Sequence, residues 1–360
     1  MNALNAQTQI NPQKFNTLSH WLYQNVLGRK TILAIMNGVF GDVLADSQHP
    51  LAIQMHFRLK SQPWKMDQPL LTSPFYGTNN KIIILVHGLC MLDLPWSERL
   101  AEQDRQDESA LEHSFLGYTP ISLCYNSGRH ISTNGQEFAQ RLESLVAAWP
   151  TQIQELVIIG FSMGGLVSRS ACHYASIAGH QWLKKLTKII FIATPHHGAP
   201  LERYGNWLDS MLSVTMFTSP LAKLGKIRSA GITDLRYGNL LDSDWQGLDR
   251  FAAREDCRQP VALPDGVHCH VLAATHGKRA GDLGDRMLGD GLVPLDSALG
   301  RHIDPAHCLE FAPSNQWIGY GMSHLALLKH PDSIAKMKAW LMPEGQKGSP
   351  ISRSLSTARV

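Results

Sequence analysis

Six short, nearly continuous apolar runs mark the chain: KIIILVH (81–87), PISLCYN (120–126), ELVIIGF (155–161), KIIFIAT (188–194), HVLAAT (270–275) and CLEFAP (308–313). Runs this short and this apolar suit strands covered on both faces. Stretches with helical spacing separate several of them, notably 135–148 and 165–178. Strands alternating with helices need crossover connections, and so predict an α/β fold: a doubly wound, mostly parallel sheet with helices on both faces. The alternation stops between the fourth and fifth runs. Residues of about 196–267 read as an insertion, and it carries Trp207, Leu208, Met211, Leu212, Val214, Met216, Phe217, Leu221 and Leu224.

The remaining chain is organised around that core. Residues 1–80 read as an N-terminal helical extension and linker. Phe15, Leu18, Trp21 and Leu22 share a helical face, MNGVFGD predicts a glycine break, and 61–80 is rich in Pro, Ser, Gly and Asn. The main domain spans 81–341, and 342–360 is a basic tail containing Pro, Ser and Gly. Hydrophobic residues make up 44% of the 360 residues, enough for a large core. The net charge of +3 balances 33 basic against 30 acidic side chains, which disfavours a nucleic-acid or anionic-membrane partner.

No pair among the 17 histidines has the HExxH spacing of a helical zinc site. Neither a metal nor a cofactor is expected. Cys90, Cys124, Cys172, Cys257, Cys269 and Cys308 are scattered, as buried free thiols would be. No run of about 18 apolar residues predicts a spanning helix. The opening MNALNAQTQINPQKF lacks a basic region followed by an apolar one, so the expected location is cytoplasmic.

The third run leads directly into GFSMG (160–164), and a helical stretch, GGLVSRSACHYASIAG, leads out. A Gly-x-Ser-x-Gly turn between strand and helix lifts a serine hydroxyl above the sheet, where it can act as a nucleophile. The helix N-terminus then favours developing negative charge. The first run ends in LVHGL (85–89), where the chain must turn and leave an N–H facing the serine. Leu89 and Met163 are therefore the expected oxyanion donors to complement Ser162. The base is a histidine placed after the last strand. His302 and His307 precede CLEFAP, whereas His324 follows it in GYGMSHLALL. His196 and His197, in ATPHHGAP (193–200), are expected to shape the floor of the site without moving protons.

The acid lies among four aspartates in GDLGDRMLGDGLVPLD (281–296). Asp282 and Asp285 stand beside Arg279 and Arg286, as in a surface loop. Asp296 precedes a helical stretch and reads as its cap. Asp290, between Gly289 and Gly291, sits in a tight turn that aims a carboxylate inward. Asp209 is the alternative outside this run.

These stretches together resemble the α/β-hydrolase superfamily, lipase/esterase class, and are similar to bacterial lipases and GPI inositol-deacylase-like proteins. The resemblance rests on VHGL, YNSGRHISTNG (125–135), IIGFSMGGLVSR, IFIATPHHGAP, GDGLVPLDSA and MSHLALL, across about 81–330. NGVFGDVLA (37–45) resembles an extension on some bacterial members and names no chemistry. The resemblance implies an α/β-hydrolase fold with a cap-like insertion. It also implies ester hydrolysis through an acyl-serine, with Ser162, Asp290 and His324 as triad and Leu89 and Met163 as oxyanion donors. The expected substrate is a small-molecule or lipid ester, held against Trp207, Met211, Leu212, Met216 and Phe217. Acyl transfer by the same triad, or a catalytically silent binding module, are the alternative functions.

Overall fold

The structure, a computed structural model, describes residues 29–59, 62–64, 80–94, 117–200, 228–250, 255–280 and 289–342. Helix α1 (Arg29–Asp46) leads into strands β1 (His56–Leu59) and β2 (Gln62–Pro63). Then come β3 (Lys81–Val86), β4 (Thr119–Cys124), α2 (Ile131–Ala148), β5 (Glu155–Phe161), α3 (Met163–Ala178) and β6 (Leu186–Ile192). Helix α4 (Ala230–Tyr237), β7 (His268–Thr275), the short α5 (Leu295–Ala298), β8 (Gln316–Tyr320) and α6 (Pro331–Leu341) complete the order.

The eight strands form one sheet in the order β2-β1-β4-β3-β5-β6-β7-β8. The pairs β2–β1 and β1–β4 are antiparallel, and every pair from β4 to β8 is parallel. This is the doubly wound, mostly parallel sheet that the sequence predicts. Ile82, Ile84 and Val86 of β3 join one apolar cluster with α1, α2 and α3. Ile83 and Leu85 join a second cluster with Trp340 and Leu341 of α6. Alternate side chains of a strand point to opposite faces, so a β3 that is apolar at every position after Lys81 means a sheet covered on both sides.

Strands β3 to β7 fall on the predicted runs within two residues. The last strand does not. It is QWIGY (316–320), while 308–312 forms no ladder and Pro313 opens a one-turn 3₁₀ segment. Leu309 and Phe311 are buried and Glu310 is exposed, so an extended segment lying on the core produces the same alternation as a strand. His324 follows the true strand as well.

The sheet also begins at His56, ahead of the boundary expected at residue 80. A four-residue HFRL strand is too short to stand out in the sequence.

The glycine break expected in MNGVFGD is absent, because α1 runs unbroken through Gly38 and Gly41. Glycine costs an exposed helix about 1 kcal/mol relative to alanine. Here the missing side chain permits contact. A Cβ on Gly38 would lie 2.2 Å from Cys90 Sγ, and one on Gly41 would lie 1.8 Å from Asn126 Oδ1.

The described part of the insertion is built into the body of the fold. Ser229 caps α4 and donates from its hydroxyl to Gly38 O (2.6 Å), and Gly231 N donates to Gly128 O (3.0 Å). All six cysteines are free, and Cys257 and Cys308 are exposed rather than buried. Among the described residues no helix is long and apolar enough to cross a membrane.

Candidate active site

The strand register brings the critical turns together at one end of the sheet. Val86 lies opposite Gly160, Phe161 opposite Ile192 and Thr275 opposite Tyr320. The segments that follow β3, β5, β6, β7 and β8 therefore all leave from the carboxyl edge, where open α/β sheets place their sites.

Ser162 occupies the turn between β5 and α3, with φ 52° and ψ −120°. Such a conformation is unusual for a non-glycine residue and costs about 1–3 kcal/mol. Neighbouring contacts hold it: Ser162 N donates to Ile192 O (2.8 Å), and Gly165 N donates to Ser162 O (3.0 Å). The tightness of the elbow requires Gly164, where a Cβ would meet Val86 O at 2.3 Å. The serine side chain makes no capping bond to α3, so its hydroxyl is not committed to the helix. Met163 is the first residue of α3, and first-turn N–H groups have no intrahelical acceptor.

The turn after β3 lies against this elbow. A Cβ on Gly88 would stand 3.3 Å from Ser162 Cβ. His87, just before it, is fully buried and stacked on Tyr125, with ring centroids 4.2 Å apart. Tyr125 N donates to His87 Nε2 (3.3 Å), which leaves the proton on Nδ1, and Nδ1–H faces Gly88 O at 2.8 Å. The Tyr125 hydroxyl also donates to His87 O (2.8 Å). Burial lowers the His87 pKa to about 4, so the ring is a neutral brace for the turn. The sequence shows HG at this position but nothing of the tyrosine that fixes it.

His324 and Asp290 form a buried pair, with Nδ1 and Oδ2 2.7 Å apart and side chains 6% and 0% exposed. The backbone doubles the link, since His324 N donates to Asp290 O (3.0 Å). Asp290 is held rigidly by its own turn: Leu292 N and Val293 N both donate to Oδ1, at 3.0 and 2.8 Å. Gly289 (φ 55°) and Gly291 (φ 95°) supply the left-handed backbone that this turn needs. An ionised Asp290 accepts from Nδ1–H, which leaves His324 Nε2 as the unprotonated nitrogen. The imidazole lies beside Phe161, with ring centroids 4.9 Å apart, one residue before Ser162.

Of the other candidates, only some fall among the described residues. Asp282, Asp285 and Asp209 lie outside the described residues, as do Trp207, Met211, Leu212, Met216 and Phe217. Asp296 is exposed in the first turn of α5 beside Arg301 (3.4 Å), and Pro294 holds the cap position expected of it. His330 begins α6 as its N-cap.

His196 and His197 face the guanidinium groups of Arg169 and Arg258. His196 Nδ1 lies 3.4 Å from Arg169 Nη1, and its ring packs on Phe191 and Phe311. Arg169 also donates to Val261 O, and Arg258 Nη1 donates to His196 O at 3.3 Å. Burial, assisted by Arg169, drives the His196 pKa well below its ordinary value. Burial takes His197 down to about 3. No sequence pattern flagged Arg169, since a helical arginine reads as a surface residue.

These neutral histidines predict acid sensitivity. A histidine whose folded pKa is depressed stays neutral in the native state while the unfolded chain takes up its proton. Stability is therefore complete above about pH 6.5 and falls as the pH drops toward the folded value. For His87 the window runs from about 6.5 to about 4. Each such fully buried ring contributes a slope of up to about 1.4 kcal/mol per pH unit. Thermal melts should show Tm falling steadily below pH 6.5. A His87→Gln variant should show a shallower fall, and an unchanged slope would refute the assignment.

Residues 130–263 match the family model described as the PGAP1-like alpha/beta domain. Among solved structures, the mature lipase BlEst2 of Bacillus licheniformis is 18% identical, with a TM-score of 0.42 over 75% of this chain and 100% of that one. Phospholipase PlaB of Legionella pneumophila is 15% identical with a TM-score of 0.43, over 74% of this chain and 60% of PlaB. The Pyrococcus furiosus esterase Pf2001 is 14% identical with a TM-score of 0.39, over 73% of this chain and 80% of that one. No curated protein matches the sequence.

Proposed function

We propose that this chain, an α/β-hydrolase with a PGAP1-like alpha/beta domain at 130–263, is a serine hydrolase that cleaves carboxylic esters. The observation that carries the reading is the buried His324–Asp290 pair, 2.7 Å apart, at the same sheet edge as the elbow serine. A carboxylate in this position can hold the imidazole in the tautomer that a general base needs.

Ser162 Oγ attacks the ester carbonyl while His324 Nε2 takes its proton. Asp290 stabilises the imidazolium that results. The N–H groups of Leu89 and Met163 receive the oxyanion, and each donor of this kind lowers a barrier by roughly 3 kcal/mol. Collapse of the intermediate expels the alcohol, which takes the proton from His324 and leaves the acyl group on Ser162. Water, deprotonated by the same histidine, attacks the acyl carbon, and the acid leaves as Ser162 Oγ takes that proton back from His324. The main-chain donors and the histidine complete the cycle.

The test is turnover of p-nitrophenyl esters of increasing acyl length. Release of p-nitrophenol by the wild type and not by Ser162→Ala supports the reading. Equal rates for both proteins, or no turnover across the series, contradicts it.

On sequence grounds we assign the acyl chain to Trp207, Met211, Leu212, Met216 and Phe217. Replacing Met211 and Phe217 by serine should then shift the preference toward shorter chains. An unchanged chain-length profile would identify these side chains as packing.

A further inference from the structure

Helix α1 and the turn after β4 converge on the turn that carries the oxyanion donor. Cys90, one residue beyond Leu89, is buried and left-handed (φ 57°), a conformation uncommon for a non-glycine residue. Two contacts bear on it. Cys90 N donates to Ser127 Oγ at 3.1 Å. On its other side Gly38 of α1 lies so close that an added Cβ would stand 2.2 Å from Cys90 Sγ and 3.1 Å from its N and Cα.

The residues on both sides of Ser127 are packed against α1. Asn126 donates from Nδ2 to Gly41 O (2.8 Å) and accepts from Gly128 N (3.1 Å). A Cβ on Gly128 would meet Asn37 O at 2.2 Å. Asn37 ties α1 to the following chain: Nδ2 donates to Leu51 O (2.8 Å), and Oδ1 accepts from Ile53 N (2.9 Å). Asp42 accepts from Ala230 N (2.9 Å) and pairs with Arg250 (2.8 Å).

We propose that Ser127 and the Gly38–Gly41 face of α1 are positioning elements of the oxyanion hole, holding the Leu89 N–H at its working angle through Cys90. The extension N-terminal to the main domain is thereby part of the catalytic apparatus. The proposal rests on the ester-hydrolase reading for its catalytic reach, and on the packing alone for the lock itself.

Two measurements separate these parts. Hydrogen exchange at Leu89 and Cys90 reads the lock. Ser127→Ala removes the acceptor and should speed exchange there while β5 and β6 keep wild-type protection. Unchanged exchange overturns the lock whether or not the protein hydrolyses esters.

Steady-state ester kinetics read the reach. Ser127→Ala should lower kcat by roughly 10- to 100-fold with little change in KM, because a misplaced donor is missed chiefly in the transition state. Gly38→Ala should do the same by driving a methyl into Cys90 Sγ. Adding Cys90→Gly to Gly38→Ala removes that sulfur and accepts the left-handed backbone, so kcat should recover. Faster exchange with unchanged kcat, or no recovery in the double variant, overturns the positioning role. A wild type without ester turnover defeats the hydrolase reading and the positioning role together, and exchange still decides the lock.

Discussion

Ser162→Ala is expected to fold normally and to lose ester turnover by roughly 10⁶-fold, the scale seen when a triad serine is removed elsewhere. Normal folding follows from local contacts. The side chain makes no capping bond, and the backbone bonds of Ser162 to Ile192 and Gly165 do not need it. Alanine also bears the same cost in the left-handed turn as serine. Coincident thermal melts with lost turnover support the assignment. Retained turnover would place the nucleophile elsewhere.

The second large effect belongs to Asp290→Asn. The amide oxygen can still accept from Leu292 N and Val293 N, as Oδ1 does now at 3.0 and 2.8 Å. The NH₂ group would then face His324 Nδ1 and donate to it. That moves the ring proton to Nε2, where the base is needed unprotonated. A tautomer reversal of this kind costs a protease triad roughly 10⁴-fold in kcat. Turnover at saturating ester should fall on that scale, with stability nearly intact. Asp285→Asn and Asp209→Asn should remain near wild type. A comparable loss at either position, with Asp290→Asn active, would move the acid.

The parts of the fold legible in the sequence are those where burial is symmetrical. Strands β3 to β7 lie between two layers, so their runs are nearly continuous in apolar residues, and the elbow follows from glycines that sterics make mandatory. Strand β8 is the outermost parallel strand. Its QWIGY is half-buried and contains a glycine, so it yielded in the sequence to the better-alternating CLEFAP. The tight turn at Asp290 was legible because the glycines on both sides of it, which adopt positive φ, stand in the sequence.

What stayed hidden depends on contacts distant in the chain. Gly38 and Gly41 look like helix breakers until Cys90 and Asn126 are known to press on them. The brace of Tyr125 on His87 joins residues 38 positions apart, and no local period encodes it. Tertiary contact here overrides propensity, and it does so at the turn on which the proposed chemistry depends.

A nucleophilic Ser162 activated by His324 is tested most directly by covalent labelling with a fluorophosphonate, followed by peptide mapping of the adduct. A single phosphonylated residue, Ser162, is expected, with labelling abolished in Ser162→Ala and strongly slowed in Asp290→Asn. An unlabelled wild-type protein, or an adduct on another residue that persists in Ser162→Ala, would contradict it.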